Sequence, residues 1–297
     1  MRRLKRYKGI DAHVHIFPQR RLDGLSIWLG RIFASHPSAE KKFEVDTLIQ
    51  ELGESESRYM FNLVYPMKAC ETDELNNFNY NLGKAYKTII PFGSLHVENS
   101  DKKVIVERCL KDYQFIGFKL HPYVQGFCVD DDRLFCAYET MNEFGALLNI
   151  HTGFDLIYPK KEKILTLSAI ENLIKRFPSI IFLIAHMFYP RLSEAVYLLD
   201  TYSNVYADMT NIFSAIIQDE ERNIQRENER EILEEACKKW SSRMVFGSDH
   251  PVGMSDLNTI YSDFHSFGLN EDTERDLTYR SAYALLKRFG FWRSQKE

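Results

Sequence analysis

The sequence lacks several things that would direct its function elsewhere. No stretch approaches the ~20 apolar residues of a membrane span, so no membrane partner is expected. The five cysteines, Cys70, Cys109, Cys128, Cys136 and Cys237, are odd in number and show no CxxC spacing. That argues against a disulfide framework or a thiolate metal site and suits a reducing compartment, the cytoplasm. Neither charge dominates: 38 basic side chains stand against 42 acidic ones, a formal charge of -4, which excludes a surface built to attract nucleic acid. Met1 to Lys8 is rich in Arg and Lys but has no apolar stretch of the kind a secretory signal needs, and reads as a solvated N-terminal arm. No obvious linker, low-complexity tract or short repeat appears, so one domain over residues 1–297 is the economical reading.

What is present is core-forming material, 44% hydrophobic and 13% aromatic. Strands buried on both faces of a parallel sheet read as nearly continuous apolar runs. Such runs recur over 9–17, 58–66, 89–97, 116–123, 146–153, 179–187, 204–210 and 243–251. Between them lie stripes of helical spacing, among them Leu75, Phe78, Leu82 and Tyr86, then Leu134, Ala137, Tyr138 and Met141. Further stripes are Leu167, Ile170, Leu173, Ile174 and Phe177, ended by Pro178, then Leu192, Val196, Leu199 and Tyr202, and Ile232, Leu233, Ala236 and Trp240. Eight strand and helix units in about 250 residues match an α/β (β/α)8 TIM barrel. A doubly wound sheet usually has a Gly-rich first turn, and no GxGxxG follows the first strand. Residues 18–44 and 211–228 exceed ordinary loop lengths and would lie as loops over the active-site face.

Catalytic groups of such a barrel come from the C-terminal ends of its strands, and here those ends are polar. Asp11-Ala12-His13-Val14-His15 ends the first, and alternation sends Asp11, His13 and His15 to one face and Ala12 and Val14 to the other. Two imidazoles converging on one point supply half of a tetrahedral metal site. Strand four ends in Gly117-Phe118-Lys119-Leu120-His121-Pro122 and strand five in Asn149-Ile150-His151-Thr152-Gly153. Strand six ends in Ala185-His186 and strand eight in Gly247-Ser248-Asp249-His250-Pro251.

Taken in order, these motifs resemble the amidohydrolase superfamily of metal-dependent barrels, in particular its branch of amidohydrolase-related hydrolases and aminocarboxymuconate-semialdehyde-type decarboxylases. The resemblance spans almost the whole chain. It implies metal ligation by His13, His15, His151 and Asp249, with His186 matching a strand-six histidine that binds a second metal or acts on substrate. Lys119 matches the strand of a lysine that is carboxylated in dinuclear relatives; uncarboxylated, it has donors only and would hold a substrate carboxylate or simply snorkel to solvent. Ser281-Ala282-Tyr283 stands where relatives often carry an asparagine, so no role follows for residue 281.

The implied cofactor is a divalent ion, zinc by its donor set, with manganese as the alternative. The implied reaction is hydrolysis of a small molecule's amide, ester or lactone carbonyl by metal-activated water, with Asp249 as proton carrier and His186 stabilising the oxyanion. The alternative is decarboxylation of an aromatic or enoic acid, gripped by Lys119, Arg20, Arg21 or His121; an inactive metal-binding barrel ranks below both. His121 falls on the face of Lys119 as a substrate contact, and His96 and His250 read as packing residues. His36 and His265 carry no argument for function, and the sequence leaves a homo-oligomer open.

Overall fold

Among the described residues the apolar runs form nine parallel strand segments: β1 (Gly9–Val14), β2 (Ser57–Asn62), β3 (Ile89–Pro91), β4 (Gly93–Ser94), β5 (Gly117–Leu120), β6 (Leu147–His151), β7 (Ile181–Ala185), β8 (Val205–Asp208) and β9 (Met244–Val245). The computed structural model describes residues 8–32, 41–158, 164–224 and 228–291; His36 and all of the expected N-terminal arm except Lys8 lie outside them. The ladders run β1-β2-β3 and β4-β5-β6-β7-β8-β9. β3 and β4 are two halves of the third expected strand, parted at Phe92, whose N–H still bonds the Asn62 carbonyl at 3.2 Å.

First and last strands meet through a Val14–His250 bridge. Three backbone bonds of 2.8 Å flank it: Ala12 N–H to the Phe246 carbonyl, Asp249 N–H to that of His13, and His15 N–H to that of His250. Individual hydrogen bonds, rather than a regular ladder, thus join the two ends of the (β/α)8 barrel.

Helices Thr72–Ala85, Phe135–Phe144, Leu167–Arg176, Leu192–Thr201 and Glu229–Trp240 carry the expected stripes. In Leu167–Arg176 the Thr166 hydroxyl accepts from Ala169 N–H, and Ala169, Ile170, Leu173 and Ile174 are buried. Each large aliphatic so covered contributes ~1.5–3 kcal/mol.

Two apolar layers result. One joins Ile10, Phe61, Ile90, Leu147, Leu183 and Val245 from around the ring to Ala282, Leu285 and Leu286 of the helix Ser281–Arg288, so that helix closes the barrel's floor. The other packs outward-facing residues such as Phe118, Leu148, Phe182 and Ala207 against the helices.

The segments 18–44 and 211–228 are not purely loop. They carry the helices Gln19–Ile32 and Ile212–Glu221, anchored by buried Leu22 and Leu29 and by Ile212, Phe213, Ala215 and Ile216. No helix among the described residues is long and apolar enough to cross a membrane.

Gly117 leaves no room for a side chain: a Cβ there would lie 2.1 Å from the Leu147 carbonyl oxygen, whereas Gly53 is open. Gly117→Ala is expected to lower stability by ~1–3 kcal/mol in urea denaturation. Gly53→Ala, in an exposed helical turn, is expected to leave it unchanged or raise it by ~0.5–1 kcal/mol; equal effects would refute the close-packed β5–β6 seam.

Candidate metal centre

β1 loses its regular alternation between Asp11 and Val14, where its register against β2 shifts. The expected grouping of Asp11 with His13 and His15 is corrected accordingly. Asp11 turns to the backbone: its Oδ1 accepts from His13 N–H at 3.1 Å and Ser248 N–H at 3.0 Å. Burial pushes its carboxyl up to about 7. Asp11 thus fastens β1 to the segment after β9, and of this motif only the two histidines turn toward Asp249.

Each imidazole is held by its rear nitrogen. His15 Nδ1 lies 2.5 Å from the Leu63 carbonyl, which can only accept, so that nitrogen carries the proton and Nε2 is bare. His13 Nδ1 lies 2.5 Å from Asp208 Oδ2, both groups fully buried. The two Nε2 atoms then stand 3.2 Å apart, with Asp249 Oδ1 3.0 Å from that of His15 and 3.5 Å from that of His13. Asp249, at φ 60, and its neighbour Asn211, at φ 66, both adopt left-handed backbone, and Asn211 Nδ2 donates to Asp249 Oδ2 at 2.7 Å. Strained backbone of this kind persists only where surrounding contacts over-determine it. Gly247 lets this segment pack closely on β1, since a Cβ there would sit 2.6 Å from His13 Cβ.

The other expected residues surround this trio. Lys119 Nζ is buried behind it, 3.3 Å from His13 Nε2, and donates to Asn149 Oδ1 at 2.8 Å; burial lowers its pKa to about 8. His186 packs 5.1 Å from His13, ring centre to ring centre. Its Nδ1 donates to the Thr210 carbonyl at 3.0 Å, and its buried Nε2 has no hydrogen-bond partner among the described residues. His151 lies 4.4 Å from His186, but its Nε2 is turned to the Gly153 carbonyl at 3.0 Å, and the ring stacks on His121 at 3.8 Å. It shares the cavity without joining the three convergent ligand atoms. His96 is buried, His250 pairs with Glu51 at 2.9 Å, and Ser281 Oγ donates to the Ser241 carbonyl.

Burial, followed by the nearby Lys119 charge, holds His13 and His121 well below the ordinary imidazole value; burial and the adjacent rings do the same for His151. Burial also lowers His186. For Asp249 burial acts upward but is outweighed by His15 and His13, which keep the carboxyl below the usual range.

With both rings neutral, the Nε2 lone pairs of His13 and His15 meet the Asp249 carboxylate, and the Lys119 amine stands 3.3 Å behind His13 Nε2. Ligand atoms around a tetrahedral ion, at bond lengths of ~2.0–2.2 Å, stand ~3.4 Å apart, close to the 3.0, 3.2 and 3.5 Å separations here. Among the described residues His13, His15 and Asp249 form the group able to hold a metal ion, and the donor set fits a divalent cation.

Sequence reasoning missed three supports. Asp208 ends β8 as an acid after an apolar run, the same signal that flagged the other strands. Asn149 stands in the strand-five motif as an ordinary polar residue, yet its amide bridges Lys119 and Asp208. Asn211 carries no sequence signal at all. Above the centre opens a cavity of about 1040 Å³, walled by Phe17, Tyr65, Phe154 and Tyr158 and rimmed by Trp28 and Arg222 from the two long segments.

Comparison with known proteins agrees with this geometry. A curated relative, the fluG protein of Emericella nidulans, is 34% identical over 98 residues, 32% of this chain but only 11% of that protein's length. An uncharacterised TIM-barrel protein of Bordetella bronchiseptica superposes at TM-score 0.73 with 19% identity, over 95% of this chain and 99% of that one. A 5-carboxyvanillate decarboxylase of Novosphingobium aromaticivorans, complexed with manganese and 4-hydroxy-3-methoxy-5-nitrobenzoic acid, gives 0.67 at 12% identity, covering 95% and 96%. A candidate 2-pyrone-4,6-dicarboxylic acid hydrolase of Pseudomonas putida gives 0.63 at 16%, covering 96% and 98%. The amidohydrolase family profile matches residues 10–288, nearly the entire chain; with the barrel and its convergent ligands, this makes the protein a member of the amidohydrolase family, a divalent-metal-dependent enzyme.

Proposed function

We propose that the protein is a zinc-dependent hydrolase of a small molecule bearing an amide, ester or lactone carbonyl. His13, His15 and Asp249 would hold the ion, and His151 would become the fourth ligand only by turning its ring from the Gly153 carbonyl; the nitrogen-rich set favours zinc, and manganese is the alternative. When bound, the ion polarises the scissile carbonyl and lowers the pKa of water to ~7. The observation that carries the reading is that groups facing the cavity beside the ligands accept protons. Asp249, fixed through Asn211, takes the proton of the attacking water and returns it to the leaving group. His186 presents a bare Nε2 and so orients a donor, such as that water; the oxyanion role expected of it does not fit a nitrogen without hydrogen.

Decarboxylation remains the second reading because Arg20, Arg21 and Arg222 line the cavity's edge. Two features weaken it. Arg21 is engaged by Glu71 at 3.1 Å and the Tyr65 carbonyl at 3.2 Å, and Lys119, offered as a grip, is occupied by Asn149. Protonation of carbon also needs an acid, and burial keeps the surrounding imidazoles neutral.

Purified protein is expected to carry about one equivalent of zinc per chain by elemental analysis, and the His13→Ala/His15→Ala double variant none; unchanged metal content would move the site elsewhere. Asp249→Asn is expected to stay folded while losing ~100- to 10,000-fold in turnover, and wild-type rates would refute its role as base. Asp208→Asn should weaken metal affinity ~10- to 100-fold in a competitive chelator titration, with helical circular dichroism unchanged. A panel of lactones, amides, esters and aromatic acids, followed for acid release and for carbon dioxide, separates the two reactions.

A further inference from the structure

Hydrolysis through a carbonyl requires a donor aimed at the oxygen that gains charge, and the ligand imidazole His15 and its neighbour His186 present acceptors instead. His121 is wired the other way round. Its Nδ1 accepts from Val124 N–H, at 3.4 Å, so in the neutral ring the hydrogen sits on Nε2. That edge faces the cavity and meets the Tyr158 hydroxyl at 3.5 Å, which puts both hydrogens within reach of a third partner. The ring cannot swing away. It is sandwiched between His151 at 3.8 Å and Tyr65 at 4.9 Å, and its backbone N–H is held by Gln125 Oε1 at 2.8 Å, whose amide donates to the Leu95 carbonyl at 2.8 Å. Tyr158 is likewise fixed, stacked on Tyr123 at 5.2 Å.

We infer that His121 Nε2–H, joined by the Tyr158 hydroxyl, donates hydrogen bonds to the substrate's carbonyl oxygen as it becomes an oxyanion, the part first assigned to His186. This assignment rests on the hydrolytic reading. As the water oxygen bonds to the carbonyl carbon, the π pair moves onto the carbonyl oxygen and one water proton passes to Asp249. His121 and Tyr158 keep their own hydrogens throughout. When the pair returns to re-form the carbonyl, the bond to the leaving group breaks and that group takes the proton from Asp249.

The tautomer is directly readable. In zinc-loaded protein labelled with 15N-histidine, long-range proton–nitrogen spectra at neutral pH should show hydrogen on Nε2 for the signals that vanish in His121→Phe; hydrogen on Nδ1 would overturn the assignment, whatever the substrate. The same variant keeps an aromatic ring in the stack, and Val124 N–H retains the His121 backbone carbonyl at 3.1 Å. With p-nitrophenyl acetate as the probe, it is expected to lose ~100- to 1000-fold in kcat with KM and zinc content unchanged; wild-type kcat would overturn the proposal. Tyr158→Phe, a smaller change that serves if His121→Phe fails to fold, should lose about tenfold in kcat, and no loss would remove Tyr158 from the pair. Absence of wild-type turnover across esters, amides and lactones would instead overturn the hydrolytic reading, leaving the spectrum to decide the tautomer alone.

Discussion

The centre depends on one buried contact, the carboxylate of Asp208 against His13 Nδ1, with neither group exposed. An imidazole chooses which nitrogen binds a metal by what its other nitrogen does. Asp208 makes that choice for His13 and pulls its ring into line with His15. Burying a carboxylate is costly unless it is hydrogen-bonded, and this one is well supplied: the Thr210 amide and hydroxyl reach Oδ1, and the Asn149 amide reaches Oδ2. Lys119 completes the network through Asn149. The polar groups below the ligands therefore form a satisfied set inside an apolar ring, which is what lets that ring tolerate them.

Tautomers then divide the cavity into two functions. His15 and His186 spend their Nδ1 hydrogens on the carbonyls of Leu63 and Thr210, leaving acceptors. His121 spends its Nδ1 lone pair on an amide, leaving a donor. Nothing distinguishes these histidines as residue types; the backbone groups behind them do.

That division also marks how far the sequence could be read. The eight-fold repeat was legible because each strand is buried on both faces and so spells an apolar run. The residues of the candidate site were legible because polar residues at the ends of such runs are conspicuous. The wiring was not, since Leu63, Thr210 and Val124 contribute main-chain groups that any residue type would supply. Strict alternation misplaced Asp11 because a register shift between strands leaves no trace in residue spacing. The helices within 18–44 and 211–228 escaped notice because neither buries a regular helical stripe: the first covers only Leu22 and Leu29, the second a nearly consecutive run from Ile212 to Ile216.

The floor formed by the last helix has a kinetic meaning. With Ala282, Leu285 and Leu286 sealed into the inner apolar layer, the described residues stop the barrel at that end, while the cavity lies at the other. A departing product and an arriving substrate then share that end, and a product slow to leave acts as a stopper against its successor.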